Sequence, residues 1–274
     1  MDLNGKRVII TGGSSGIGKA LALQLAKRNC AIALVARNAE KLQQTRTEIL
    51  QAFPGTTLIS CPADVAQRIE ITETITSVIA KLGGVDILVA GAGIAQPGYF
   101  EALELDTFEK LMSVNYFGAV YCVKAVLETM KNQQSGHIAL ISSGAGLIGV
   151  YGYSAYGPTK FALRGLGESL RCELKPGGIG VSVVYPPDTD TPQLAYENKT
   201  KPPETAAIAG SAGVLSAEVV AQAILKGIER NQFAVTPGFE MSLLNRVHSL
   251  IAPAFFGFCD RIVAKHQNEK KKKQ

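Results

Sequence analysis

Short, nearly continuous apolar runs alternate along the chain with longer segments in which apolar residues recur at helical spacing. RVIIT (7–11), AIALVA (31–36), TLISCPAD (57–64), DILVAGAG (86–93), HIALISS (137–143) and VSVVYP (181–186) predict strands. Their lack of polar alternation predicts a sheet covered on both faces. Between them, GKALALQLAKRN, AEKLQQTRTEILQAF, RIEITETITSVIAKLG, TFEKLMSVNYFGAVYCVKAVLETMKNQ and AYGPTKFALRGLGESLRCELKP predict helices, several ending near Gly, Asn or Pro.

Strand and helix taking turns predicts right-handed crossovers into a doubly wound parallel sheet, an α/β fold of the Rossmann type. Residues 1–238 read as one domain without an internal repeat or linker. The pattern loosens from about residue 190, and 190–213, poor in large apolar residues, reads as a lid over a site. SAEVVAQAILKGIE then predicts an amphipathic helix with Ser216 as its N-cap. Residues 239–274 form a separate segment, in which the apolar run Leu250–Cys259 is interrupted by Pro253 and followed by a basic tail. Two arrangements suit that segment: a helix packed on the cleft or a partner copy, or an interfacial helix with its lysines on anionic headgroups.

The formal charge of +5 overstates the basicity of the body, because the last ten residues hold five Lys and one Glu. A near-neutral body argues against nucleic-acid binding. Five scattered cysteines without a C-x-x-C pair predict free thiols, and three histidines without ligand spacing predict no metal site. No apolar run approaches the roughly 18 residues of a spanning helix. The opening MDLNGKRVII enters a strand at once, so neither a signal peptide nor an N-terminal anchor is expected. The expected location is cytoplasmic, peripheral at most on the cytosolic face of a membrane, and the expected assembly is a homo-oligomer (dimer or tetramer).

Candidate chemistry begins where the first strand runs into TGGSSGIG. Gly12, Gly16 and Gly18, with Ser14, Ser15 and Ile17 among them, allow a tight turn and rest of a pyrophosphate against a helix N-terminus. The second strand ends at Arg37, with Lys41 four residues on, where a NAD-selective fold usually carries an acid. Two cations suit a 2′-phosphate, and so NADP. Asp64 and Val65, at the end of the third strand, are candidates to hold the adenine, although an Asp there also suits a turn. Tyr156 and Lys160 form Y-x-x-x-K, one helical turn apart, so an ammonium stands where it can lower a phenol's pKa. Ser143 ends the strand upstream, with Ser142 as its rival because adjacent strand residues face opposite ways.

Together these residues resemble the short-chain dehydrogenase/reductase family over roughly residues 5–230. The resemblance implies Tyr156 as proton donor to a carbonyl, Lys160 lowering its pKa and holding the ribose, Ser143 orienting the substrate, and Asn115 in SVNYFG supporting a water-mediated proton relay. It also implies cofactor contacts from Ala92 and Gly93, although AGAG (90–93) stands where the family commonly has N-N-A-G. In YPPDTDTP, Pro186-Pro187 replaces the family's Pro-Gly, and Pro186, Thr189 and Thr191 are expected on the nicotinamide side. Within the family, LVARNAEKL, YPPDTDTP and ENKTKPPET are similar to reductases that use NADPH on the 3-keto group of long-chain sphingoid bases. That likeness implies a lipidic substrate. The alternatives are another apolar carbonyl (steroid, retinoid or fatty aldehyde) and, more remotely, an NADP-binding sensor or scaffold without turnover.

Overall fold

A computed structural model of the chain describes residues 1–209 and 213–271. Residues 210–212 near the end of the lid and 272–274 of the basic tail therefore lie outside the described residues, as do the side chains of 209, 251–253 and 267–271.

The six predicted strands form as β1 (Arg7–Thr11), β2 (Ala31–Ala36), β3 (Leu58–Pro62), β4 (Ile87–Ala90), β5 (Gly136–Ile141) and β6 (Ile179–Val184). Two further strands, β7 (Thr189–Asp190) and β8 (Leu215–Ser216), pair with each other, and a third, β9 (Ala234–Val235), joins the main sheet beside β6. The main sheet is wholly parallel in the order β3-β2-β1-β4-β5-β6-β9. These two-residue strands carry too little periodicity to be read from sequence.

The helices are α1 (Gly16–Ala26), α2 (Ala39–Ala52), α3 (Arg68–Leu82), α4 (Leu105–Met112), α5 (Gly118–Gln133), α6 (Gly157–Leu174), α7 (Pro192–Glu197), α8 (Pro203–Ala209), α9 (Ala217–Glu229) and α10 (Phe239–Lys271). Pleating sends alternate residues of each strand to opposite faces. Val8 and Ile10 of β1 thus pack with Leu21, Leu25, Ile224 and Ile228 of α1 and α9. Ile9 packs with Ile71, Ile75, Cys122 and Val126 of α3 and α5 on the other face. Each such fully buried side chain contributes about 1.5–3 kcal/mol, and both faces of every central strand are dry. That is why these strands read as unbroken apolar runs.

Local signals set the helix ends. Asn38 caps α2 by accepting from the Lys41 amide at 2.8 Å, and Ser216 caps α9 by accepting from Val219 at 3.3 Å. Gly83 closes α3 in the left-handed region, where a Cβ is disfavoured. The long helix expected over TFEKLMSVNYFGAVYCVKAVLETMKNQ forms without a break, α4 passing into α5 through a wide π turn, Ser113–Phe117. Four of the expected strands are cut short at their C-terminal ends, at Pro62, Ala90, Ile141 and Val184. The residues beyond leave the ladder there and form the crest of the sheet. Because strand order reverses between β1 and β4, the crest opens a crevice at that point.

Candidate active site

A cleft of about 500 Å³ runs along this crest, from the β1–α1 turn to α10. At one end, Gly12 and Gly16 hold φ of +74° and +49°. A Cβ on Gly18 would lie 2.3 Å from the Gly12 carbonyl, so α1 can approach β1 this closely only through glycine. Ser15 stands at the N-cap without a side-chain cap, and the amides of Gly16, Ile17 and Gly18 have no acceptor among the described residues. Free amides at a helix N-terminus make an anion site. Ser14, Ser15 and Ile17 line the same end of the cleft.

Arg37 and Lys41 line the cleft beyond β2, exposed and without an ion-pair partner among the described residues. Asp64 departs from expectation: its carboxylate accepts from the Ala66 amide at 3.0 Å, and the cleft wall at this point is Ala63 and Val65 instead. The turn use won because an Asp two residues before an amide closes on its own backbone.

After β4, Gly91, Ala92 and Gly93 line the cleft, with the Thr11 hydroxyl accepting from the amides of Gly91 and Ala92 at 3.1 and 3.2 Å. Thr11 thus tethers by its side chain the AGAG segment that stands where the family commonly has N-N-A-G. A Cβ on Gly93 would meet Asn115 Oδ1 at 3.3 Å and Lys160 Nζ at 3.5 Å. The π turn points Asn115 inward, 1% exposed, where Oδ1 accepts from Ile94 N at 2.8 Å. Its Nδ2 donates to the Ile94 carbonyl at 2.9 Å and to Thr159 Oγ1 at 3.0 Å. Asn115 therefore stands behind the wall, next to Lys160, and does not line the cleft itself.

Ser143, Tyr156 and Lys160 come together at the centre of the cleft. Of the two serines, Ser143 faces the cavity beside Tyr156, while the Ser142 hydroxyl donates into the core to the Lys160 carbonyl at 2.9 Å. Pro158 falls in the first turn of α6, where its missing N–H costs nothing. The Lys160 ammonium donates to the Ile141 carbonyl at 2.9 Å and lies 5.4 Å from the centre of the Tyr156 ring. Burial holds this lysine down to about 8, opposed by the charge of Glu197. The expected lowering of the phenol is not seen in the chain alone: burial raises the Tyr156 pKa and Glu197 raises it further, against hydrogen bonding from Ser143 and Gln193. Burial dominates because both partners of the pair are enclosed, so Tyr156 is held as the protonated phenol.

The prolines after β6 form the opposite wall. Pro186, Pro187, Thr189 and Thr191 line the cleft, and the Pro186 carbonyl accepts from Gly144 at 2.9 Å. Thr191 caps α7 and lies against the glycine turn, where a Cβ on Gly16 would meet its Cγ2 at 2.9 Å. From the lid, α7 and α8 line the site through Gln193, Leu194, Glu197 and Ile208. The cleft also holds residues that spacing does not reveal: Tyr153 ahead of α6, and Gln193 and Glu197 of α7. The Tyr153 hydroxyl donates to Glu197 Oε2 at 2.6 Å, and Gln193 Nε2 donates to Glu197 Oε1 at 2.9 Å. Beyond them the wall turns apolar with Ile208, Met241, Leu244 and Phe255, the last three from α10.

A parallel sheet with a glycine turn at its switch point and a Ser-Tyr-Lys centre defines a class of dinucleotide-dependent oxidoreductase. The sequence pattern of the short chain dehydrogenase family matches residues 6–202. The chain is 44% identical over 256 residues to the 3-dehydrosphinganine reductase of Danio rerio, covering 92% of this chain and 77% of that one. To the 3-ketodihydrosphingosine reductase of Dictyostelium discoideum it is 40% identical, over 96% and 83% of the two chains. An alcohol dehydrogenase of Thermococcus sibiricus, solved in complex with 5-hydroxy-NADP, superposes with a TM-score of 0.71 at 28% identity, covering 82% and 90%. The protein belongs to the short-chain dehydrogenase/reductase family. It is an oxidoreductase that uses a nicotinamide cofactor on a small-molecule substrate.

Proposed function

We propose that the protein reduces 3-ketodihydrosphingosine to dihydrosphingosine with NADPH. The observation that carries the reading is the grading of one cleft, from the Ser143–Tyr156 centre to an apolar wall of Ile208, Met241, Leu244 and Phe255. Such a wall suits a long alkyl chain. The relatives named above, from two distant organisms, bear the name of this activity over most of their length.

The residues present suit the dinucleotide. The open amides of α1 suit a pyrophosphate, and Arg37 and Lys41, two cations without an ion-pair partner among the described residues, suit the 2′-phosphate that separates NADPH from NADH. Pro186, Thr189, Thr191, Ala92 and Gly93 would hold the nicotinamide end. A reduced nicotinamide bound there supplies the hydride. Tyr156, kept protonated by burial, donates a proton to the carbonyl oxygen as charge develops on it. The Ser143 hydroxyl hydrogen-bonds the same oxygen and orients it. Lys160, at about 8, stands beside the phenol to restore its proton near neutrality, with Asn115 behind it in position to order a water relay.

We also assign α10 to a cytosolic membrane surface. Its arms Phe239–Leu250 and Ala254–His266 meet at 101° around the stretch containing Pro253. No single described helix is long and apolar enough to cross a membrane, although this bent pair meets length and composition together. One side of α10 lines the cleft, while Phe239, Leu250, Phe256 and Phe258 are exposed. An apolar helix that both walls the site and faces outward would let a lipid enter from an interface.

The test is NADPH oxidation by the purified protein with 3-ketodihydrosphingosine beside steroid, retinoid and fatty carbonyls. The expected result is a higher kcat/KM on the sphingoid ketone; equal or better rates on the panel would sink the assignment. Truncation near residue 238 should abolish cosedimentation with anionic liposomes, and unchanged binding would remove the membrane reading.

A further inference from the structure

Glu197 has no part in the chemistry above, yet it is 7% exposed, lines the cleft, and sits at the C-terminal end of α7. A charge buried in a protein is ordinarily paired. Its side-chain partners, Tyr153 and Gln193, are neutral, and among the described residues it has no ion-pair partner. The nearby cations are committed elsewhere: Lys201 pairs with Asp188 at 3.0 Å, and Lys160 donates to the Ile141 carbonyl. Each Glu197 oxygen accepts one bond, which leaves lone pairs for a ligand. Gln193 donates to Glu197, and both Gln193 and the Glu197 charge act on the Tyr156 phenol, so the carboxylate stands close to the reacting carbonyl.

We propose that Glu197 is the specificity residue for an ammonium group on the carbon next to the carbonyl. This rests on the sphingoid-ketone reading and deepens it. With the ketone oxygen at Ser143 and Tyr156, a neighbouring ammonium falls toward Glu197 while the alkyl chain leaves along Ile208, Leu244 and Phe255. The cation then gives the buried carboxylate the partner that the protein withholds.

The experiment compares 3-ketodihydrosphingosine with its deamino analogue, 1-hydroxyoctadecan-3-one, in wild type, Glu197→Gln and Glu197→Asp. Wild type should favour the amine in kcat/KM by about tenfold or more, the effect of roughly one buried charge pair. Glu197→Gln should bring the ratio within about threefold, chiefly through KM for the amine, and Glu197→Asp should recover part of it. If both substrates fall together and the ratio survives Glu197→Gln, the residue is only a strap for the lid and the proposal is overturned. If wild type reduces the deamino ketone and rejects the amine, the sphingoid reading fails, and this proposal with it. A measurement on wild type needs no variant: octadecylamine should inhibit competitively at least about tenfold more strongly than octadecan-1-ol. Equal inhibition would overturn the assignment.

Discussion

Ser142 and Lys160 are joined through the backbone of the catalytic helix: the serine hydroxyl donates to the lysine's own carbonyl at 2.9 Å. The same lysine's ammonium returns to the Ile141 carbonyl at 2.9 Å, one residue before Ser142. The end of β5 and the first turn of α6 are thereby clamped, which fixes where Ser143 and Tyr156 point. Ser142→Ala should cost about 0.5–1.5 kcal/mol, because it deletes one buried hydrogen bond while the Lys160 carbonyl keeps its partner in the α6 ladder. Its kcat should change far less than that of Ser143→Ala, which should fall about a hundredfold with little loss of stability. Thermal unfolding and steady-state kinetics on the two alanine variants separate the roles; the opposite pattern would exchange them.

Tyr156→Phe should lower kcat by about a thousandfold or more while NADPH binding is retained. Fluorescence titration with NADPH checks the second half. Full activity in this variant would remove Tyr156 from proton donation.

Arg37 and Lys41 set the expected choice of cofactor. Replacing both with Ala should reduce kcat/KM for NADPH by at least about a hundredfold, since each charge-assisted bond contributes roughly 1.5–3 kcal/mol. The value for NADH should stay within about threefold. A double variant that still prefers NADPH would show that the 2′-phosphate is held elsewhere.

Thr11 is 2% exposed and its hydroxyl satisfies two amides of the β4 crest. Thr11→Val keeps the shape but strips that acceptor, at a cost of about 1–3 kcal/mol. The loss should appear in urea unfolding together with weaker cofactor binding, because Gly91 and Ala92 line the cleft. An unchanged midpoint would mean that those amides find another acceptor.

His137 titrates against folding. Ser182 donates its proton to the Gln232 carbonyl, so it accepts from His137 Nε2–H at 2.8 Å, which sets the Nε2–H tautomer of the neutral ring. Burial, with a smaller effect of the N-terminal amine, holds its pKa down to about 4. As pH falls below the ordinary value near 6.5, the unfolded chain gains a proton that the folded chain refuses. Stability should therefore decline between about pH 6.5 and 4, by about 3 kcal/mol in all. His137→Gln should flatten that part of the urea-midpoint profile; a slope unchanged by the variant would assign the loss to other groups.

The apolar runs determined the parallel sheet on their own, since Val8, Ile9 and Ile10 can all be apolar only if both faces are covered. Short-range chemistry was legible too. The glycine turn, the Y-x-x-x-K pair and the Ser216 cap depend on residues within one or two turns of each other. Tertiary structure decided what distance along the chain conceals. It moved Asp64 to its own turn, sent Ser142 inward and Ser143 outward, and let burial outweigh the lysine at Tyr156. It also set Glu197 against Tyr153, 44 residues away, to complete the polar end of the cleft. Periodicity records which face of an element is dry. The solvation of a single hydroxyl or carboxylate depends on neighbours from other elements, and those exist only once the chain has folded.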